Sequence, residues 1–213
     1  MSVTVAVTFD LFGTLVRVDR LDDPAAAVAR ELRERGVTVP DDWADAYTEP
    51  HVDAPEGAEV PLPAHVARAL ASRGVDAPQN AARRAVVAAF DPDVVVVDGA
   101  HEAVAAARDY GPVGLLSNTS VPELARRVLV RADLRGEFDA VVTSIACGWR
   151  KPDARAFETV ARQLDCAPAE LVHVGDDPAI DGGVEAVGGT FLDVADVLLT
   201  DVPAWLADRE ERR

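Results

Sequence analysis

Residues 5–15 read Val-Ala-Val-Thr-Phe-Asp-Leu-Phe-Gly-Thr-Leu, a short apolar run that stops at a carboxylate and a glycine. Bulky and small residues alternate from Val3 to Phe9, which is too short for a helix and is typical of a strand covered on both faces. Asp10 then lies at the carboxyl end of that strand, where an open parallel sheet binds its ligands. Gly13 allows a tight turn just after it. The alternative is that Asp10 only caps a turn after a buried strand.

Length and composition predict one domain, or one domain with an insertion, because 213 residues of which 49% are apolar can bury a substantial core. No apolar run approaches the roughly 20 residues that cross a bilayer, and no charged-then-apolar leader precedes the first strand. We therefore expect a soluble cytoplasmic protein with no membrane partner. Cys147 and Cys166 lack metal-ligand spacing and do not make a disulfide framework, so we expect two reduced, structural thiols.

The charge balance is strongly acidic, with 37 Asp and Glu residues against 21 Lys and Arg residues and a net charge of −16. Such a charge repels nucleic acid phosphates and anionic lipid surfaces, so the sequence predicts no nucleic acid partner. Among the basic residues, 20 are arginine and one, Lys151, is lysine. An acidic, lysine-poor composition resembles that of halophilic proteins from microbes with high internal salt. An acidic interaction surface is the alternative.

A helical pattern follows Thr14 and continues to about residue 93. Asp22-Asp23-Pro24 predicts a helix start and Gly36 its end, whereas the proline-rich stretch 48–63 is typical of a loop. Helices are expected over 22–36, 41–47, 66–74 and 81–90. We interpret this region as an inserted lid. The predicted domains are an α/β core of residues 1–16 and 93–213 and a helical cap of residues 17–92.

Strands and helices alternate regularly in the second half of the chain. Short buried strands are expected over 113–116, 140–145, 171–174 and 190–194. Helices are expected around them over 99–109, 120–131 and 153–164, with another beginning at Pro178. Ser120 and Glu123 have the spacing of a capping box, Val94 to Val97 is a return strand or a connector, and Arg209 to Arg213 is a frayed tail. The alternation predicts an α/β fold with a doubly wound parallel sheet.

Polar groups follow three predicted strands, and they can meet at one edge of the sheet. With their neighbours they form four motifs: Asp10-Leu-Phe-Gly-Thr-Leu15, Leu116-Ser-Asn118, Gly148-Trp-Arg-Lys-Pro152 and Gly175-Asp-Asp-Pro-Ala-Ile-Asp181. In this order the motifs resemble the haloacid dehalogenase-like hydrolase superfamily. The resemblance spans essentially the whole chain and implies a Rossmannoid core with a helical cap inserted after the first motif.

The resemblance implies a catalytic set for a small anionic substrate. Asp10 is the implied nucleophile, which forms a covalent aspartyl intermediate that water later hydrolyses. Lys151 supplies a compact cation beside it, although a solvated loop lysine is the alternative. Ser117 and Thr14 donate hydrogen bonds to the transferred group, or are cap or turn hydroxyls. Asn118 is implied, with Ser117 and Lys151, to bind the substrate.

The resemblance also implies Mg²⁺ as the cofactor. Asp10 and Asp176 are its implied ligands, together with the carbonyl oxygen of Phe12. Clustered carboxylates repel one another, so a cation between them is the economical interpretation. Asp181 or Asp177 supports the ion through water, and Asp177 also suits a helix N-cap.

Phe12 stands where phosphatases of this superfamily usually carry a second aspartate that acts as general acid and base. An aromatic residue there resembles the 2-haloacid dehalogenases, which displace halide without a metal. Asp176-Asp177 argues against that branch, because two acids repel a carboxylate substrate, and the candidates for a lid arginine that binds such a substrate are Arg30, Arg33 and Arg35. We rank a Mg²⁺-dependent phosphoryl hydrolase first, a dehalogenase-type hydrolase second, and a ligand-binding or regulatory protein with a decayed site third.

Four further residues carry weaker signals. His51 and His65 lie in the predicted lid and are interpreted as surface histidines, with contact to substrate as the alternative. His173 lies within a strand and is interpreted as structural, and Trp149 packs or lines the entrance. The sequence identifies neither the substrate nor the oligomeric state.

Overall fold

The computed structural model describes residues 5–78 and 80–211, and in this part of the chain five strands form one parallel sheet. The strands of the protein are β1 (Ala6–Phe9), β2 (Val16–Val18), β3 (Val94–Val96), β4 (Val113–Ser117), β5 (Ala140–Thr143), β6 (Leu171–Gly175) and β7 (Thr190–Asp193). The sheet has the order β5-β4-β1-β6-β7, so β1 lies at its centre. β2 and β3 pair antiparallel beside it. This architecture confirms the predicted α/β fold class.

The helices flank this sheet or lie between β2 and β3. They are α1 (Pro24–Glu34), α2 (Trp43–Thr48), α3 (Leu62–Ser72), α4 (Ala81–Ala89), α5 (Ala100–Ala107), α6 (Leu124–Arg131), α7 (Ser144–Cys147), α8 (Ala154–Gln163) and α9 (Val202–Glu211). Short 3-10 helices lie at Pro168–Glu170, Asp181–Val187 and Leu199–Asp201. Every helix in the described part of the chain is too short or too polar to cross a bilayer.

Both faces of the sheet are covered, as the unbroken apolar strands predict. Val7 and Phe9 of β1 belong to a buried cluster with residues of α5, α6 and α9. Ala6 points to the opposite face and belongs to a second cluster with Phe157 and Val160 of α8. Because successive side chains of a strand point to opposite faces, β1 contributes to both layers of the core.

The helices α1 to α4 form a third buried cluster, built around Val28, Leu32, Val66 and Leu70. Asp23 begins this insertion as the N-cap of α1, where its Oδ1 accepts the Ala26 backbone N–H at 2.8 Å. The insertion leaves the core after β2 and returns at β3, so Val94 to Val96 is a return strand. The predicted division into residues 1–16 with 93–213 and residues 17–92 stays a prediction.

The predicted capping box at Ser120 and Glu123 is wrong. Helix α6 begins at Leu124, and Glu123 has a left-handed backbone with φ of 64° and no side-chain cap bond. The Glu123 carboxylate instead forms an ion pair with Arg83 of α4. The Val121 backbone N–H is bound by the Thr119 hydroxyl at 3.2 Å. A contact between distant helices has therefore replaced the local pattern.

Three other sequence-based boundaries differ from the structure. The strand expected to reach Ile145 ends at Thr143, and α7 follows it directly. Pro178 lies in a turn, and a 3-10 helix begins only at Asp181. The expected frayed tail is helical through Glu211, whereas Arg212 and Arg213, like Val3 at the other end, lie outside the described residues.

Candidate active site

The predicted catalytic residues meet at the carboxyl edge of the sheet, beside the ends of β1, β4 and β6. The Lys151 ammonium donates to Asp10 Oδ1 and to Asp181 Oδ1, each at 2.6 Å. The Thr14 hydroxyl donates to Asp176 Oδ1 at 3.1 Å. Carboxylate oxygens of Asp10, Asp176 and Asp181 all lie within 4.8 Å of one another. Residues that are far apart in the chain thus form one cluster, as the order of the strand ends predicts.

The turn after β1 brings Asp10 against the end of β6. The Asp10 backbone N–H donates to Val174 O at 2.9 Å, and Gly13 closes the turn by donating to Val16 O at 2.8 Å. Gly13 has φ of 99°, and a Cβ atom on it would lie 2.2 Å from Asp176 Oδ2. Only glycine combines this backbone conformation with so close an approach to a side chain.

The loop of Lys151 is held by Asn118. The Asn118 side-chain amide donates to Lys151 O at 2.9 Å, and its carbonyl oxygen accepts the Lys151 backbone N–H at 2.9 Å. Both polar atoms of Asn118 therefore position the lysine, and its contact with substrate stays a prediction. The Lys151 side chain is 1% exposed, so its charge acts in a largely dehydrated site.

Burial and the lysine charge set the protonation of the carboxylates. Burial raises the pKa of Asp10 to about 6, against the opposing charge of Lys151. Burial also raises the pKa of Asp176, against the hydrogen bond from Thr14. Burial by itself would also raise the pKa of Asp181. The hydrogen bond from His173 and the charge of Lys151 outweigh the effect of burial, and the pKa of Asp181 is lowered. Asp181 is thus a fixed anion.

Asp181 accepts four hydrogen bonds, which makes it the anchor of the cluster. Its Oδ1 accepts from Lys151 and from His173 Nε2 at 3.2 Å. Its Oδ2 accepts the backbone N–H groups of Asp176 and Asp177, each at 3.1 Å. The neighbouring Asp177 carboxylate accepts the Ala179 backbone N–H at 2.9 Å and so caps a turn. The alternative of a helix N-cap is wrong, because the next 3-10 helix begins only at Asp181.

The residues present fit a hard divalent cation. Asp176 is exposed, and its Oδ2 lies over Gly13. The Val16 backbone N–H donates to Leu11 O, and Val16 O accepts the Gly13 N–H. The Phe12 carbonyl oxygen, between these bonds, accepts no backbone hydrogen bond within the described residues. Oxygen ligands of this kind suit Mg²⁺. Asp10, Asp176 and the Phe12 carbonyl are the better direct ligands, since Asp181 is already occupied by four donors.

Ser117 ends β4 beside this cluster, and its side chain is fully buried. Its Oγ has no hydrogen-bond partner in the part of the chain that the structure describes. Buried hydroxyls are normally paired, and the exceptions call for an explanation such as a ligand. The geometry therefore leaves the Ser117 hydroxyl available to a substrate.

Sequence reasoning missed a buried contact from the insertion, which involves Glu59 and Ser144. Glu59 Oε2 accepts a hydrogen bond from the Ser144 hydroxyl at 2.5 Å, and Arg150 Nε lies 3.7 Å from the same oxygen. Ser144 Oγ also accepts the Thr119 backbone N–H at 2.8 Å. Glu59 lies in a stretch interpreted as loop, and no local pattern in the sequence distinguishes it from its neighbours.

Backbone bonds extend this contact, and we call residues 57–62 the strap. Gly57 O accepts the Arg150 N–H, and the Glu59 N–H donates to Gly148 O, both at 2.9 Å. The Leu62 N–H donates to Ser120 O at 2.9 Å. The strap therefore contacts the loop just before Lys151 and the loop just after Asn118.

The weaker sequence signals have structural explanations. His51 and His65 are half-buried rather than exposed, and their Nε2 atoms lie 2.6 Å from Ala46 O and 2.7 Å from Tyr47 O. Trp149 packs beneath the Arg155 guanidinium, which lies 3.1 Å from its ring centroid.

Two of the three candidate lid arginines have an acidic partner, and both cysteines are described. Arg30 and Arg35 both contact Glu31, at 3.7 and 2.7 Å. Cys147 and Cys166 are free thiols, as expected.

Comparisons with known proteins bear on the family of this chain. A family model for haloacid dehalogenase-like hydrolases matches residues 4–183. The human haloacid dehalogenase-like hydrolase domain-containing protein 3 is 37% identical over 95 residues, which are 44% of this chain but only 37% of that protein. A glyceraldehyde 3-phosphate phosphatase of Methanothermobacter thermautotrophicus is 42% identical over 48 residues, 22% of this chain and 21% of that protein.

Solved structures share the fold at low sequence identity. A 2-haloacid dehalogenase from Pseudomonas syringae aligns over 97% of this chain and 99% of its own, with a TM-score of 0.63 and 17% identity. The likeness extends over both the sheet and the insertion.

Proposed function

Because this chain belongs to the haloacid dehalogenase-like hydrolase family, we propose that it hydrolyses a small phosphorylated metabolite with Mg²⁺ and with Asp10 as the nucleophile. The observation that carries the proposal is the charge of the site. Asp10, Asp176 and Asp181 lie within 4.8 Å of one another, and Lys151 offsets one of their three negative charges. A divalent cation balances the other two, and an anionic substrate needs that balance in order to approach.

In the first step, the Asp10 oxygen that Lys151 does not hold attacks the phosphorus atom. An oxygen–phosphorus bond forms, the bond to the leaving oxygen breaks, and its electron pair departs with the leaving group. The Lys151 ammonium and the Ser117 hydroxyl stabilise the charge on the transferred group. When bound, Mg²⁺ would neutralise charge on the carboxylates and on the phosphoryl oxygens.

In the second step, water attacks the phosphorus of the aspartyl phosphate. The bond from phosphorus to the Asp10 oxygen breaks, the carboxylate is restored, and the proton of the water passes to solvent. Phe12 offers no proton to the first leaving group, and general acid catalysis is typically worth about 10²–10⁴ in rate. We therefore place acyl phosphates and anhydrides, whose leaving groups need no proton, ahead of alkyl phosphates.

The helical insertion and the acidic surface complete the proposal. Residues 17–92 act as a cap that selects a small anionic substrate, and residues 1–16 and 93–213 carry the chemistry. The net charge of −16 argues against nucleic acid as a partner and suits a saline environment, where mobile ions screen the repulsion between surface carboxylates.

A dehalogenase-type reaction is the second candidate, and Phe12 is the residue that favours it. An apolar ring two positions after the nucleophile suits attack at a carbon atom better than attack at a phosphoryl group. The exposed Asp176 weighs against it, because this carboxylate would repel the carboxylate of a haloacid.

The deciding experiment measures phosphate release from acetyl phosphate at high salt, with Mg²⁺ and with a chelator. We expect turnover only with Mg²⁺, loss of turnover in Asp10→Asn and Asp176→Asn, and retention of turnover in Asp177→Asn, whose carboxylate only caps a turn. Full turnover in chelator would contradict the proposal. Metal-independent halide release from 2-chloropropionate would establish the second candidate instead.

A further inference from the structure

His173 is a buried histidine that the proposed mechanism does not use. It lies in β6, directly opposite Thr8 of β1 in the parallel register, and is 0% exposed. The ring of Phe157 packs against it edge to face, with centroids 5.4 Å apart. An apolar side chain would fill this position at lower cost, because a buried polar ring must satisfy both of its nitrogens.

Both ring nitrogens of His173 have partners that fix its tautomer. Nε2 lies 3.2 Å from Asp181 Oδ1, which can only accept, so Nε2 carries the proton and donates. Nδ1 is then an acceptor, and the Thr8 hydroxyl at 2.9 Å is its donor. Burial and the charge of Lys151 lower the pKa of His173 to about 4, which keeps the ring neutral.

The hydrogen bond from His173 acts on the catalytic ammonium through Asp181. Asp181 Oδ1 accepts from His173 and from Lys151 at the same time. Lys151 gives its second hydrogen to Asp10 at 2.6 Å. His173 Nε2 also lies 3.5 Å from the Lys151 Nζ atom, but in this tautomer it carries a proton and cannot accept, so the third ammonium hydrogen is left for a substrate. The direction of that third hydrogen depends on where Asp181 Oδ1 is held.

We propose that His173, oriented by Thr8, is a positioning residue that fixes Asp181 so that the Lys151 ammonium presents one hydrogen to the substrate. At metal sites, removal of an outer hydrogen-bond partner typically costs about 10–100-fold in affinity or activity, and we expect an effect of this size here. A misplacement of about 1 Å at a reacting centre has a similar effect. The inference deepens the proposed function and rests on it for its kinetic readout.

Two substitutions at one position separate the two bonds of the ring. His173→Gln places an amide N–H near the position of Nε2, so the donor to Asp181 is kept. His173→Asn can accept from Thr8 but is too short to reach Asp181. We expect His173→Asn to lower kcat about 10–100-fold, with KM changed less than about threefold, whereas His173→Gln recovers most of the lost kcat.

A second readout does not need catalysis. Lys151 is the only lysine in the chain, so protein labelled with ¹⁵N at the lysine side chain gives one ammonium resonance. In chelator we expect slow hydrogen exchange with water in the wild type and in His173→Gln, and faster exchange in His173→Asn. If the wild type releases no phosphate, the proposed function fails while this comparison still decides the role of His173.

Thr8→Val provides a test if His173→Asn does not fold. It removes the hydroxyl that orients Nδ1 and nearly preserves side-chain volume, so we expect faster exchange of the Lys151 hydrogens in this variant as well. Unchanged exchange in Thr8→Val, or unchanged kcat and exchange in a folded His173→Asn, would overturn the inference.

Discussion

Substitution of Gly13 by alanine tests the close approach between the turn after β1 and the proposed metal ligand. The new Cβ would lie 2.2 Å from Asp176 Oδ2, whereas ordinary contact begins at 3.4 Å, so the carboxylate must move by about 1 Å. Metal–ligand distances hold to within about 0.2 Å. We therefore expect Gly13→Ala to weaken Mg²⁺ binding on the order of 100-fold.

Gly36→Ala is the matched control. Gly13 and Gly36 both have positive φ, of 99° and 74°, but a Cβ on Gly36 meets no atom within 4 Å. Each substitution strains the backbone by about 1–3 kcal/mol. Only Gly13→Ala also displaces Asp176. The control thus separates loss of general stability from loss of the metal site.

The assay is the increase in melting temperature on addition of Mg²⁺. At 100 times the wild-type Kd, binding stabilises the fold by about 2.7 kcal/mol, an increase of about 5–10 °C for a chain of this size. Gly36→Ala should show the same increase in melting temperature as the wild type on addition of Mg²⁺, although its melting temperature without Mg²⁺ is lower. Gly13→Ala, at a concentration equal to its own weakened Kd, should gain only about 1 °C. An equal increase in both variants would refute the reasoning.

Three further predictions concern the buried charges. In chelator, acidification from pH 6 to pH 4 stabilises the fold through Asp10, whose pKa is raised to about 6, and destabilises it through His173, whose pKa is lowered to about 4. Urea denaturation of Asp10→Asn should therefore show an extra loss of about 2 kcal/mol over this range relative to the wild type, and parallel pH profiles would contradict it. Lys151→Arg should lower kcat by about 10²-fold in the acetyl phosphate assay, because a planar guanidinium cannot replace the compact ammonium of this buried side chain; near-wild-type kcat would contradict this. Glu59→Ala should lower the free energy of unfolding by about 1–3 kcal/mol in urea, and a double-mutant cycle with Ser144→Ala that shows no coupling would exclude the contact as its cause.

Much of the site could be predicted because its residues occupy strand ends. Asp10, Ser117 and Asp176 each follow an apolar run, and parallel strands bring such ends to one edge. Lys151 is distinguished by composition, as the single lysine among 20 arginines. These signals are local or global properties of the sequence, so they are visible without coordinates.

The supporting contacts could not be predicted, because they depend on register and on long loops. The bond between Thr8 and His173 joins residues 165 apart, and the bond between Ser144 and Glu59 joins residues 85 apart. Nothing local at either position indicates its partner. The capping box failed for a related reason, since Glu123 pairs with an arginine 40 residues away.

The strap limits how far the helical insertion can move without displacing the loop that carries Lys151. If the helical insertion moved outward as a rigid body, the strap's backbone bonds to Gly148, Arg150 and Ser120 would pull on the loop before Lys151 and the loop after Asn118. The Lys151 ammonium would then be displaced from Asp10 and Asp181. Movement of the insertion that spares the catalytic set must leave the strap in place, so the chain must flex on both sides of it: over residues 49–56 before the strap, and at the start of α3, which begins at Leu62.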